Sequence, residues 1–160
     1  MTSLVLELND AGLTWTGKSG VLSTEPGYAV LNSGSVVTGE AALARAHLEP
    51  RLCRNRYWDE LSAVIETGDH SYAELAYLQL QKMFHDLGRP DSKVVLVTPG
   101  HYSREQLGLV LGIAQECGIG VSGLIEKAVA ASSRPSPGRQ LIYLDVSLHR
   151  LTVSVIAQDD

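Results

Sequence analysis

Short apolar segments separated by polar turns dominate the first third of the chain. Residues 4–8 are rich in β-formers, and the polar residues 9–12 read as a turn before a second short strand at 13–16. Residues 21–31 add further apolar segments, and Asn32-Ser33-Gly34 marks another turn. This alternation predicts a β-meander.

Helical periodicity begins after the meander. Glu40 to Leu48 is alanine-rich and predicts a helix that ends before Pro50. Residues 51–69 show no clean period, so we expect irregular or partly helical structure there. Ser71 to Glu74 has the form of a capping box, and the helix it begins carries one apolar face: Tyr72, Ala76, Leu80, Met83 and Leu87.

The second half alternates strands and helices. Residues 93–98 form an apolar run typical of a strand buried on both faces. A second capping box, Ser103 to Gln106, starts a helix whose predicted buried face is Leu107, Val110, Leu111, Ala114 and Cys117. Gly108 and Gly112 each cost about 1 kcal/mol relative to alanine in such a helix. We therefore expect a close backbone approach at these two glycines.

A short strand at 121–124, a short helix at 126–132 and a strand pair at 141–146 and 151–156 complete the pattern. The order is a β-meander followed by β-α-β-α-β-β. This order predicts an α/β fold with a mixed central sheet flanked by helices. The length of 160 residues fits a single domain, 1–160.

Composition narrows the possible functions. The net charge is −5 and no Lys/Arg run occurs, so nucleic acid is not an expected partner. The chain has no apolar run of about 18 residues and no basic leader, so we expect a cytoplasmic protein without a membrane span. The five histidines are scattered and no metal site is predicted. Cys53 and Cys117 are expected to be reduced thiols.

Gly12 to Ser19 matches the phosphate-binding pattern G-x-x-x-x-G-K-[ST]. Such a loop works because a helix starts at its Lys-Ser pair and directs amides at the phosphates. Here Gly20 and a β-type stretch broken by Pro26-Gly27 follow instead. We therefore interpret the segment as a hairpin whose tip carries Gly-Lys-Ser-Gly.

Residues 93–131 resemble the central segment of the ATPase domain of the seventy-kilodalton heat-shock chaperones. The matching features, in order, are Val97-Thr98-Pro99, Ser103, Gln106, Ala114, Gly118-Ile119, Leu124-Ile125, Glu126 and Ala130-Ala131. Val37 to Ala42 resembles a helix start of the same family. The resemblance covers nearly the whole chain and is most specific in its centre.

The resemblance implies the first lobe of an actin-like, ribonuclease-H-like ATPase domain, belonging to a longer protein. In that family a strand-borne aspartate and a glycine-rich turn hold magnesium-bound water and phosphate. Glu7 stands in the aspartate's place here, and the turn contributes Asn9, Asp10 and Gly12 as the matching cofactor-binding positions. Asp10 puts negative charge where a phosphate would sit.

The remaining family positions are also altered. The region of the family's catalytic lysine offers Arg54 and Arg56 but no lysine. Asp145 falls where the second phosphate loop begins, and Ser147 follows it, but the stretch lacks glycine. The catalytic candidates are therefore Glu7, Arg56, Glu126 and Asp145.

Two functions remain open. The first is a divergent chaperone-like nucleotide-binding lobe that uses ATP or ADP with magnesium only in the complete protein and does not hydrolyse ATP efficiently alone. The second is a non-catalytic actin-like scaffold for protein assembly. A second lobe, another protein or a further copy of the chain is the expected partner.

Overall fold

The structure is a computed structural model that describes residues 4–16, 20–32, 34–65, 69–88, 93–132 and 140–157. The described strands are β1 (Leu4–Asn9), β2 (Gly12–Thr16), β3 (Leu22–Pro26), β4 (Ala29–Asn32), β5 (Ser35–Thr38), β6 (Cys53–Arg54), β7 (Val94–Thr98), β8 (Val121–Glu126), β9 (Gln140–Val146) and β10 (Leu151–Ala157). The described helices are α1 (Glu40–Ala46), α2 (Tyr72–Asp86), α3 (Arg104–Glu116) and α4 (Lys127–Ala131).

A five-stranded mixed sheet in the order β3-β2-β1-β7-β8 forms the centre. The first three strands are an antiparallel meander, whereas β1, β7 and β8 run parallel. Antiparallel pairing of Thr16 with Leu22 joins β2 to β3, as the hairpin interpretation of the Gly12–Ser19 motif requires. The tip residues 17–19 lie outside the described residues. The predicted α/β class and mixed sheet are confirmed.

The predicted meander is divided between two sheets. Strand β4 leaves the central sheet and pairs with β5 and β6 in a separate three-stranded sheet. The chain leaves the central sheet at Gly27, where its backbone lies close to the turn between β1 and β2. The Gly27 amide donates to the Ala11 carbonyl at 2.7 Å. Gly12 has a φ of 141°, and a Cβ there would lie 2.1 Å from the Glu25 carbonyl oxygen. The two glycines therefore allow backbone contact that other residues would prevent.

The strand pair at the end also forms a separate sheet. β9 and β10 pair only with each other among the described strands, with Val146 opposite Leu151 and Gln140 opposite Ala157. The prediction that these strands extend the central sheet is therefore wrong. Their alternation has the expected period of two, but period alone does not specify the neighbouring strand.

The core lies between one face of the central sheet and helices α2 and α3. Leu6, Leu8 and Leu96 of the sheet are almost fully buried. The predicted face of α2 is confirmed at its centre, where Ala76, Leu80 and Met83 are buried. In α3, Val110 and Ala114 are buried as predicted, but Ile113 is buried in place of Leu111, which is 43% exposed.

Gln79 ties the irregular segment before α2 to the core. Its side-chain oxygen accepts from the Tyr57 hydroxyl at 2.6 Å and from Trp58 Nε1 at 2.8 Å, and its Nε2 donates to the Pro26 carbonyl at 2.7 Å. Every buried polar group in this set therefore has a partner, which is the condition for a stabilising polar network.

Of the two predicted capping boxes, one is complete and the other is formed in part. Ser103 and Gln106 form the complete predicted capping box. At α2 the Ser71 hydroxyl accepts from the Glu74 amide, but the Glu74 carboxylate lies 2.8 Å from His70 Nδ1.

The close approach expected at Gly108 and Gly112 is absent. A Cβ at either glycine would meet no heavy atom of the described chain within 4 Å. No described helix combines the length and the apolar character needed to cross a membrane.

Candidate functional site

The carboxyl ends of the three parallel strands meet at one edge of the central sheet. Glu7 and Asn9 lie at the end of β1, Thr98 at the end of β7 and Glu126 at the end of β8. This is the edge at which open α/β sheets place their ligands. The loop between β9 and β10 makes its contacts with the body of the protein at the same edge. The candidate site is therefore the contact between this hairpin and the strand ends.

Asn9 shapes the turn after β1. Its side-chain oxygen accepts from the amides of Ala11 at 2.8 Å and Gly12 at 3.1 Å. Asparagine commonly stabilises a tight turn in this way. The turn directs Asp10 toward the hairpin, and Asp10 is only 2% exposed.

Asp10 binds the backbone of the hairpin loop. Its two carboxylate oxygens accept from successive amides, one from Leu148 at 2.9 Å and the other from His149. Successive amides that converge on one point form an anion-binding arrangement. Here the anion is a side chain of the protein itself.

Lys127 supplies a positive charge between two carboxylates. Its Nζ lies 3.0 Å from Glu7 Oε1 and 2.9 Å from Asp145 Oδ1. Burial lowers the pKa of Lys127, but the hydrogen bonds to Asp145 and Glu7 outweigh it, and the net pKa is raised. The ammonium therefore joins the end of β1 to the end of β9.

Asp59 forms the third connection between hairpin and body. Its buried carboxylate accepts from Arg150 Nε at 2.8 Å and from Arg150 Nη2 at 3.3 Å. His101 Nε2 lies 3.2 Å from the same carboxylate. Burial by itself raises the pKa of Asp59. The hydrogen bond and charge of Arg150, together with the nearby histidines, lower it by more, so the net pKa is lowered. A two-point contact with arginine gives this connection a defined geometry.

The residues that the sequence predicted for the site do not all lie together. Glu7, Asp10 and Asp145 are brought together with the hairpin as described above. Glu126 lies over the turn after β7, where a Cβ on Gly100 would come within 2.4 Å of its Oε1. Ser147 donates within its own loop, from Oγ to the Arg150 carbonyl at 3.0 Å.

Two further candidates are occupied elsewhere. The Arg56 guanidinium lies 2.9 Å from Glu60, and about half of its side chain is exposed. Gly12 packs against β3, as described for the glycine crossing. Among their described contacts, neither residue touches the group formed by Glu7, Lys127 and Asp145.

Sequence reasoning missed Lys127, Asp59, Arg150 and the amides of Leu148 and His149. Lys127 follows Glu126 directly in the sequence, and this proximity to a candidate carboxylate is a signal that could have identified it. Asp59 lies in a segment without periodicity, and its distance in sequence from Arg150 concealed the pair. The two backbone amides could not be predicted, because every residue except proline has one and the residue type does not show where it points.

Most of the charged groups described above contact a partner within the protein. An ammonium sits between two carboxylates, and a carboxylate occupies two loop amides. No protein family model matches the chain, and no curated protein matches it significantly.

Proposed function

We propose that the chain is a non-catalytic lobe of the actin-like, heat-shock-chaperone-like class that serves in protein assembly. The fold is consistent with this class, because an antiparallel meander is joined to two further parallel strands with helices α2 and α3 over one face. The proposal rests on this arrangement and on the resemblance of residues 93–131.

One observation carries the non-catalytic part of the proposal. The Asp10 carboxylate accepts from the loop amides of Leu148 and His149. By the resemblance, this loop corresponds to a phosphate-binding loop. A phosphate that entered would have to displace a carboxylate and would meet its negative charge. We therefore expect nucleotide phosphates to bind poorly at this position.

Lys127 supports the same conclusion for the cation. A magnesium ion bound between Glu7 and Asp145 would replace an ammonium that lies within 3.0 Å of both carboxylates. The tethered ammonium makes both contacts without the cost of binding a free ion. The ammonium occupies the space between the two carboxylates and balances one of their two charges.

Titration calorimetry tests the proposal directly. Magnesium-ATP and magnesium-ADP should give no saturable heat with the unaltered chain. Saturable binding that Asp145→Ala removes would refute the non-catalytic assignment. It would support the second candidate function, a nucleotide-binding lobe of the chaperone type.

A second measurement tests the role of Asp10. Inorganic phosphate should leave the amide resonances of Leu148 and His149 unchanged in the parent chain. It should shift them in the Asp10→Ala variant, where the amides are released. Asp10→Asn is the matched control, because its amide oxygen can still accept a hydrogen bond. Equal shifts in parent and Asp10→Ala would contradict the proposal.

The second candidate function has one feature in its favour. Glu7, Glu126 and Asp145 retain carboxylates at the sheet edge where the family binds magnesium-nucleotide. Charged groups in such a crevice suit cation-assisted phosphate binding once the Lys127 ammonium and the Asp10 carboxylate are displaced.

A further inference from the structure

The outward face of the β9–β10 hairpin is apolar. Six side chains point away from the body and are each 58% to 77% exposed: Ile142, Leu144, Val146, Leu151, Val153 and Val155. The cross-strand register places them in three adjacent pairs. They form one continuous patch, which we call the hairpin face.

The polarity of the hairpin is inverted relative to a surface hairpin. Of the three inward cross-strand pairs, Asp145–Thr152 and Tyr143–Ser154 are polar and Leu141–Ile156 is apolar, and all six side chains are partly buried. A hairpin that faced solvent would carry its polar residues outward. The inversion indicates that the hairpin face is covered in the working protein.

The size of the hairpin face suits a specific interface. At these exposures each side chain leaves on the order of 100 Å² accessible, so the face amounts to about 600 Å². That is at the upper end of the largest apolar patches on monomers, about 300–600 Å². Two such faces packed together would bury about 1,200 Å², the lower bound for a stable specific interface.

We propose that a second copy of the chain covers the hairpin face, forming a two-fold symmetric dimer. The hairpin face contains no charged residue, so two copies can meet there without like-charge contact despite a net charge of −5 per chain. Face-to-face packing would bring the hairpins about 10 Å apart, as in a β-sandwich. This inference rests on the proposed assembly role and names the partner as an identical chain.

The oligomeric state of the full 160-residue chain tests the proposal. Sedimentation velocity over a concentration series should show a monomer–dimer equilibrium. Leu144→Glu places a charge near the centre of the interface and should weaken dimerisation by about 100-fold or more. Leu48→Glu is the matched control, since Leu48 is 82% exposed and lies outside the hairpin, and it should leave the dimer unchanged.

Val153→Thr, which keeps side-chain shape and β-propensity, provides a second test if Leu144→Glu fails to fold. It should weaken the dimer by about tenfold. A monomer at every concentration, open-ended aggregates, or a dimer that persists in both hairpin variants would each overturn the inference.

The calorimetric titration separates the two proposals. A monomer without nucleotide binding removes only the second-copy inference and leaves assembly with another protein. Saturable nucleotide binding removes the proposed function whatever the oligomeric state.

Discussion

Replacing Lys127 by methionine should destabilise the fold, because it leaves Glu7 and Asp145 without their shared cation. Methionine keeps an unbranched stem of similar size, so packing changes little. The three side chains are between 17% and 30% exposed, which places the pairs between surface and buried ones. Exposed pairs contribute about 0–1 kcal/mol, and breaking a buried pair costs about 3–5 kcal/mol. We expect a loss of about 2–3 kcal/mol.

Urea denaturation followed by tryptophan fluorescence measures this loss, since Trp58 is buried in the native state. For a chain of this size the expected fall in melting temperature is about 4–12 °C. A double-mutant cycle with Glu7→Gln isolates the pair. Glu7→Gln should cost stability in the parent but little in the Lys127→Met background, where it relieves repulsion between carboxylates.

A coupling energy below about 0.5 kcal/mol in that cycle would refute the reasoning, because it would show that Lys127 and Glu7 do not stabilise each other. Millimolar magnesium chloride offers an independent check. It should raise the melting temperature of Lys127→Met more than that of the parent, with sodium chloride at equal ionic strength as the control. Equal effects on both proteins would indicate that the carboxylate pair does not attract a cation.

Gln79→Leu should cost about 3 kcal/mol or more in urea denaturation, because it leaves the Tyr57 hydroxyl, Trp58 Nε1 and a backbone carbonyl unpaired. The exposed Gln81→Leu serves as control, and equal losses would contradict the role of the Gln79 network. Acidification should lower the melting temperature, because burial and Arg150 lower the pKa of His101 below its usual 6.5. The stabilisation is complete above pH 6.5 and is lost as the pH falls through the lowered pKa of the folded state. His101→Gln should flatten that part of the melting profile, and an unchanged slope would exclude His101 as its source.

The sequence predicted the elements better than their arrangement. Capping and periodicity located α2 and α3, because these signals depend on neighbouring residues. The separation of β4 from β3 depends instead on a backbone crossing at Gly12 and Gly27, which no local pattern encodes. Leu111 was misplaced because the buried stripe of α3 runs through Val110, Ile113 and Ala114, one position away from it.

The candidate site was predictable only in its carboxylates. The resemblance to the chaperone ATPase domain pointed to Glu7 and Asp145, which lie toward the ends of β1 and β9. Their actual partner, Lys127, follows from the way β8 passes into α4, which brings that side chain between them. The pairing of Asp59 with Arg150 depends on tertiary contact across most of the chain. Electrostatic partners that are distant in sequence therefore cannot be paired from the sequence, even though each charged residue can be read from it.

The hairpin and the body are joined by a different kind of force from the one that holds the body together. The core cluster takes no member from the described residues of β9 and β10, whereas Asp10, Lys127 and Asp59 each reach the hairpin through charge. Ionic strength weakens such contacts in proportion to their exposure, so the Lys127 pairs are screened more than the buried Asp10 and Asp59 contacts. We therefore expect the hairpin to open locally, so that its amides exchange with solvent while the five-stranded sheet stays closed.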